Sequence, residues 1–256
     1  MSIQHFVPAI WQNALEESVR QKQVIANRVR SIGADLISNF GDQVLVHSLD
    51  KIHVKPYPPD DTDDHSVVLT VDHGAYFNFF VPDVDRSQRE NYGSIKKHLE
   101  NSAERLAIEG DHYLVQKLCE KAGTKITMNR PTNADQICDF IIKFFAEVVN
   151  KAGKDIDISV CIPAEFEACL VHDSRFSIKN IGNESLAYCC GIQITGSWDL
   201  TDKALAIDNK TVAYAGKVAR LTAYCPEKGF SDGVKGLYLF GADVIEPKKV
   251  CVCEFI

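Results

Sequence analysis

Asp60-Asp61-Thr62-Asp63-Asp64 gathers four carboxylates in five residues, a donor set of the kind calcium takes. The segment lacks the glycine and distal glutamate of an EF-hand loop, so it reads as a solvated tip. Asp83 and Asp85 share one face of an extended chain and would suit a general acid/base pair. They stand at a strand-to-helix junction, where acidic residues favour a helix N-terminus with no catalytic role. His172-Asp173-Ser174 carries the letters of a hydrolase triad, but adjacent residues do not face one another. Nine cysteines remain: Cys119, Cys138, Cys161, Cys169, Cys189, Cys190, Cys225, Cys251 and Cys253. None forms a Cys-x-x-Cys knuckle, and no histidine stands at zinc-finger spacing from a cysteine pair. Cys251 and Cys253 fall on one face of an alternating strand, whereas Cys189 and Cys190 would project to opposite faces. The expectation is reduced thiols acting as small hydrophobes. No dinucleotide fingerprint, phosphate loop, nucleophile elbow or zincin motif occurs. Asn183-Glu184-Ser185 and Asn209-Lys210-Thr211 match glycosylation sequons, which mean nothing without secretion. These residues point to no enzyme, no cofactor and no metal.

The totals agree with a structural role. At 256 residues the chain can bury a core as one large domain or two small ones. Apolar content of 45% and charged content of 25% are ordinary for a globular protein. A net charge of −7 argues against a sequence-reading nucleic-acid binder, though not against a protein that encloses nucleic acid. No apolar run is long enough to cross a membrane, and Met1 to Pro8 has neither the basic nor the apolar region of a signal peptide. A cytoplasmic setting is the default.

The elements that must position any site begin with residues 42–82. Gln43–Lys55 and Ser66–His73 alternate with period two, the second run continuing through Tyr76–Phe80. They flank a Pro- and Asp-rich tip, and together predict a long hairpin with one half-buried face. A two-stranded ribbon is marginal alone in water, so something must cover that face, and a neighbouring subunit is the natural supplier. A helix is expected over 9–32, thin in hydrophobic content and docked on another element. A longer one is expected over about 90–122, with Ile95, Leu99, Ala103, Leu106, Leu114 and Leu118 in one stripe and Gly110 weakening its middle. Such a stripe suits a helix laid across a thin sheet. Pro131-Thr132-Asn133 opens a third helix with a broad apolar face from Ile137 to Val149. Ile156–Ile162 alternates as a strand, and Pro163 opens a short helix to His172. Strands follow at Leu186–Thr195, Leu205–Ile207, Thr211–Cys225, Gly236–Val244 and Val250–Phe255, which gives an α+β class.

In this order and spacing the chain resembles the major capsid proteins of tailed bacteriophages with the Hong Kong 97-type fold. Phe6-Val7-Pro8-Ala9-Ile10-Trp11 and the helix after it resemble the family's N-terminal arm. Residues 43–80 are similar to its extended loop, and Tyr76-Phe77-Asn78-Phe79-Phe80-Val81-Pro82 to the aromatic strand leaving that loop for the spine helix at 90–122. Residues 133–172 resemble the axial domain, and Gly236–Ala242 with the final strand resembles a return into the peripheral sheet. The implied division is an arm at 1–40, an extended hairpin loop at 41–82 and a peripheral domain with the spine helix at 83–130. An axial domain at 131–235 and return strands at 236–256 complete it.

The resemblance implies a non-enzymatic subunit that forms hexamers and pentamers of an icosahedral shell around double-stranded DNA. It implies assembly in the host cytoplasm, residence in the virion, no membrane, and only non-specific contact with packaged DNA. A portal and a decoration protein are further implied partners. The arm starts so near Met1 that a fused scaffolding domain is not expected; the expectation is a separate scaffolding protein, or none. Phe6, Trp11, Lys51, Lys55, Tyr57 and Arg86 are the residues expected at assembly interfaces. Lys51 and Lys55 are the loop lysines, though no sequence feature shows crosslinking chemistry. Two alternatives stand beside this reading: an encapsulin-like cellular compartment with the same fold, and a monomeric binding protein or enzyme with a closed pocket and a hairpin packed on its own body.

Overall fold

The computed structural model describes residues 8–33, 37–47, 66–82, 91–152, 157–181, 184–224, 226 and 231–256. The chain opens with α1 (Pro8–Lys22), a 3-10 turn at Ala26–Arg28 and the two-residue β1 (Arg30–Ser31). Then come β2 (Gln43–His47), β3 (Ser66–Thr70), β4 (His73–Pro82), the long α2 (Asn91–Lys121) and β5 (Thr124–Met128). The middle holds α3 (Ala134–Ala152), β6 (Ile158–Pro163), α4 (Ala164–Leu170), β7 (Phe176–Ile181) and β8 (Glu184–Cys189). It closes with β9 (Ile192–Ser197), β10 (Lys203–Asp208), β11 (Val212–Tyr224), β12 (Ser231–Val244) and β13 (Val250–Phe255).

Three sheets result. One has the order β1-β11-β12-β4, a second the order β5-β13-β10-β6-β9-β8-β7, and β2 pairs with β3 as a separate ribbon. Helix α2 meets the expectation of a stripe across a sheet: Leu99, Ala103, Leu106, Leu114 and Leu118 are buried with Leu15 and Val19 of α1. Val218 of β11 and Val234 and Phe240 of β12 complete that layer. Each of the Leu, Val and Phe side chains contributes about 1.5–3 kcal/mol on burial. The same cluster takes in Leu205, Ile207, Val250 and Val252, so α2 also touches one face of the seven-stranded sheet. The opposite face of that sheet is covered by α3 and α4 through Ile137, Phe140, Ile141, Phe144, Phe166 and Leu170. Asn133 caps α3 by accepting the Gln136 N–H at 2.9 Å, while the Gln136 side chain reaches back to the Thr132 N–H at 2.9 Å.

Several expectations are corrected. The segment 73–82 is not part of the hairpin: β4 pairs antiparallel with β12, from Phe240↔His73 to Ser231↔Pro82. The ribbon ladder ends at Gln43↔Thr70, where Val71 donates its N–H to the Asp42 carbonyl and accepts from Gly41. The Asp72 carboxylate is then held by the Tyr113 hydroxyl and by Lys117 at 3.0 Å, which fixes the bend. The final strand does not join the sheet of β12. Flanked by β10 and β5, β13 buries Val250 and Val252 on one face and Cys251 and Cys253 on the other, a demand only a sheet covered on both sides meets. Sheet membership likewise crosses the expected boundaries, since β5 belongs with the seven-stranded sheet and β11 with the four-stranded one. The first helix stops at Lys22, well short of residue 32, because the chain turns to place two N–H groups on Asp111. The expected strand Leu186–Thr195 is two strands, β8 and β9, split at Cys190-Gly191.

Candidate assembly surface

Strand β4 divides its side chains between two environments. Ala75, Phe77 and Phe79 point to the layer of α1 and α2, while Tyr76 (81% exposed) and Phe80 (50%) point away from it. Register places Tyr76 opposite Leu237, itself exposed, and Asn78 opposite Lys235. Tyr224 of β11 extends the row: its hydroxyl donates to Asn78 Oδ1 at 2.9 Å, and its ring meets Phe80 edge-on at 6.3 Å. Lys235 Nζ lies 5.1 Å from the Tyr224 ring centroid. The outer face of the sheet at this end is therefore an organised aromatic surface with no cover in the chain's described residues.

At its other end the same outer face is covered. Val46, Leu69, Val71 and Ile37 lie against Ala213, Ala215 and Leu239, so the hairpin root sits on its own sheet. The approach is close: a Cβ on Gly241 would collide with the Thr70 carbonyl oxygen and the Val71 Cα. Lys217 Nζ donates to the Ile37 carbonyl oxygen at 2.9 Å. This corrects the expectation that a neighbour must supply cover for the ribbon's apolar face, because at the root the chain supplies it. The ribbon is apolar on both faces, however. Leu45 (53% exposed) stands opposite Val68 (44% exposed) on the side turned from the body. Trp198, between β9 and β10, is 88% exposed, and Ile178 is exposed on the edge strand β7.

Of the residues expected at interfaces, Phe6, Lys51, Lys55, Tyr57 and Arg86 lie outside the described residues, as do Asp60–Asp64, Asp83 and Asp85. Trp11 is half-buried against the layer of α1 and α2. Tyr76, Phe80, Leu237 and Tyr224 were not among the expected residues. Period-two alternation does assign Tyr76 and Phe80 to one face and Phe77 and Phe79 to the other, but it does not say which face is bare. The triad letters do not assemble: Asp173 binds Arg175 at 2.8 and 2.6 Å, which holds its carboxyl down at about 2. A cleft of about 1020 Å³ between α1 and β11 is lined by Glu16, Arg20, Gln23, Tyr214 and Tyr238. Inside it Gln23, Tyr214 and Tyr238 satisfy one another, with Gln23 Nε2 donating to Tyr214 Oη at 2.9 Å. Among the described residues no helix is long and apolar enough to cross a membrane.

No protein-family profile and no curated protein matches the sequence. Solved structures do. A structure from Mycobacterium phage Che8 is 23% identical over 90% of each chain, with a TM-score of 0.65. The capsid of the cyanophage P-SCSP1u is 14% identical over 89% of this chain and 86% of its own, with a TM-score of 0.57. The chain has the Hong Kong 97-type fold. The same fold extends to the holo-SrpI encapsulin complex from Synechococcus elongatus, 10% identical over 90% of this chain and 86% of that one, with a TM-score of 0.61. Among the described residues, the aromatic end of the four-stranded sheet and the outward face of the ribbon are apolar surfaces that the chain leaves uncovered.

Proposed function

We propose that this chain is the major capsid protein of a tailed bacteriophage, a non-enzymatic subunit whose hexamers and pentamers close an icosahedral head around double-stranded DNA. The observation that carries the reading is the shared fold over nine-tenths of the chain and of its phage counterpart, at 23% identity. The bare Tyr76–Leu237 face and the bare Leu45–Val68 face fit the role, since a protein that stays monomeric gains nothing by exposing both. In this reading the hairpin between Gln43 and Thr70 reaches a neighbour beyond its seated root, α2 is the spine of a peripheral domain, and the seven-stranded sheet with α3 and α4 forms the axial domain. A separate scaffolding protein, a portal and a decoration protein are its partners, and the virion is its location. The net charge of −7 suits a lining on which packaged DNA slides, because firm phosphate pairing needs a basic surface.

A cellular compartment is the second reading, supported by the encapsulin complex that shares the fold at lower identity. Light scattering with negative-stain microscopy on the purified chain, alone and with the product of a neighbouring scaffolding-like gene, tests both. Closed shells carrying nucleic acid are expected. Shells filled with a cargo enzyme would favour the compartment, and a monomer of about 28.5 kDa under both conditions would overturn the shell reading altogether.

A further inference from the structure

Three thiols from separate places in the sequence converge at one end of the seven-stranded sheet. Cys138 lies one turn into α3, Cys189 ends β8, and Cys190 begins the turn to β9. Cys138 Sγ is 3.3 Å from Cys189 Sγ, which is 3.9 Å from Cys190 Sγ, and all three sulfurs lie within 4.8 Å of one another. Among the described residues this is the one grouping of three or more His, Cys, Asp or Glu side chains close enough to share an ion. Adjacent strand residues point to opposite faces, so the convergence needs a special backbone. Cys190 supplies it, with φ at +53° followed by Gly191 at +82°. Two successive positive φ angles make the tight hairpin turn that normally takes Asn, Asp or Gly first. A cysteine there accepts backbone strain, and the result is a thiol folded back on its neighbour.

We propose that Cys138, Cys189 and Cys190 form a binding site for one thiophilic monovalent d10 ion, with Cu(I) as the fitting class. Soft thiolates select such ions. Metal–sulfur bonds of about 2.3 Å in a trigonal plane require sulfurs about 4 Å apart, close to the spacing present. Structural zinc wants four donors, and the described residues offer no fourth. Cys190 is exposed and gives the ion its entry, whereas Cys138 and Cys189 are buried and exclude competing water ligands. Arg175 ties the two sides of the cluster together. Its guanidinium is pinned between Asp173 and Asp135, the latter three residues before Cys138 on α3, and its carbonyl oxygen accepts the Cys190 N–H at 3.1 Å. Metal binding at cysteine replaces the thiol protons, so the affinity of such a site rises with pH in general. The loaded site would tie α3 to the β8–β9 hairpin. This inference stands independently of the shell reading.

The test is anaerobic titration of the full chain with Cu(I) against a chromophoric chelator, followed by thermal melting with and without the ion. Wild type is expected to withhold one equivalent and to melt higher when loaded. Cys190→Ser should weaken binding at least tenfold, as should Cys190→Asn, which suits the left-handed turn and guards against a folding artefact. Cys169→Ser, exposed on α4 outside the cluster, should leave binding unchanged. Equal affinity in wild type and the Cys190 variants would overturn the proposal, as would preference for Zn(II) over Cu(I) in the same assay. So would purified protein lighter by two protons and unable to take copper, since that would mean a Cys138–Cys189 disulfide instead.

Discussion

Asp111, midway along α2, accepts the backbone N–H of Ala26 at 2.9 Å with one carboxylate oxygen and that of Val24 at 2.6 Å with the other. A long helix thus holds the turn between α1 and β1, and the N-terminal helix stays on the body through a buried carboxylate as well as through apolar contact. Burial dominates its ionisation and lifts it from 3.8 to about 6, against the pull of those same N–H donors.

A raised carboxyl favours the folded state at low pH. Below pH 4 Asp111 is neutral folded and unfolded alike. As pH rises through the folded value of about 6, its contribution is progressively lost. The loss should approach about 3 kcal/mol, two units at about 1.4 kcal/mol each. Urea unfolding of wild type and Asp111→Asn between pH 4 and 7 checks this. The stability of wild type relative to the variant should fall with rising pH, and a difference that stays constant would refute it.

Gly110 looks like a weak point in α2, and intrinsic propensity alone would make Gly110→Ala stabilising by about 1 kcal/mol. The structure reverses that expectation. A Cβ here would stand 2.6 Å from Tyr214 Oη and 3.0 Å from Gln23 Nε2, so the hydrogen bond between those two groups would have to shift to admit it. Gly110→Ala should therefore destabilise by about 1–3 kcal/mol, the usual cost of overpacking. A higher melting temperature for the variant would show that Tyr214 gives way.

The contrast shows where the sequence is legible. Helices α2 and α3 could be read because Leu99 to Leu118 and Ile137 to Val148 repeat a helical period over many turns. Strand partners could not, because pairing is a long-range choice. Nothing local tells that His73–Pro82 pairs with Ser231–Phe240, far along the chain, and not with its own hairpin. Trp11 is half-buried against the α1–α2 layer, and large aromatics favour interfaces and cores alike, so residue type alone does not separate the two roles. The thiol cluster was hidden by the strand rule itself, since alternation sends Cys189 and Cys190 apart unless the chain turns between them.

The hairpin root offers a two-sided test of what the body contributes to holding the ribbon. Leu69 is fully buried against Ala213, Ala215 and Leu239, whereas Leu45 on the neighbouring strand faces out. Leu69→Ala should cost about 2–5 kcal/mol and make the β2–β3 ribbon more sensitive to proteolysis, while Leu45→Ala should stay within about 0.5 kcal/mol in the monomer. Denaturant midpoints and limited digestion measure both. Equal effects would mean that the root is not seated as described.

The outer sheet face separates folding from assembly. Tyr76 and Leu237 lie opposite one another, Tyr76 almost wholly in solvent and Leu237 about one-third exposed, so Tyr76→Asp should leave the melting temperature of the unassembled chain nearly unchanged and Leu237→Asp should lower it only modestly. If copies meet at this face, an unpaired carboxylate forced into an apolar contact costs several kcal/mol per site, and a closed shell repeats that cost in every subunit. Shell formation should then be lost, with folded subunits or small oligomers left behind, as sedimentation and microscopy would show. Variants that assemble like wild type would remove this face from the interface and leave the shell reading standing. Wild type that never assembles, with any partner supplied, would remove the shell reading itself. The paired experiment therefore distinguishes a wrong surface from a wrong function.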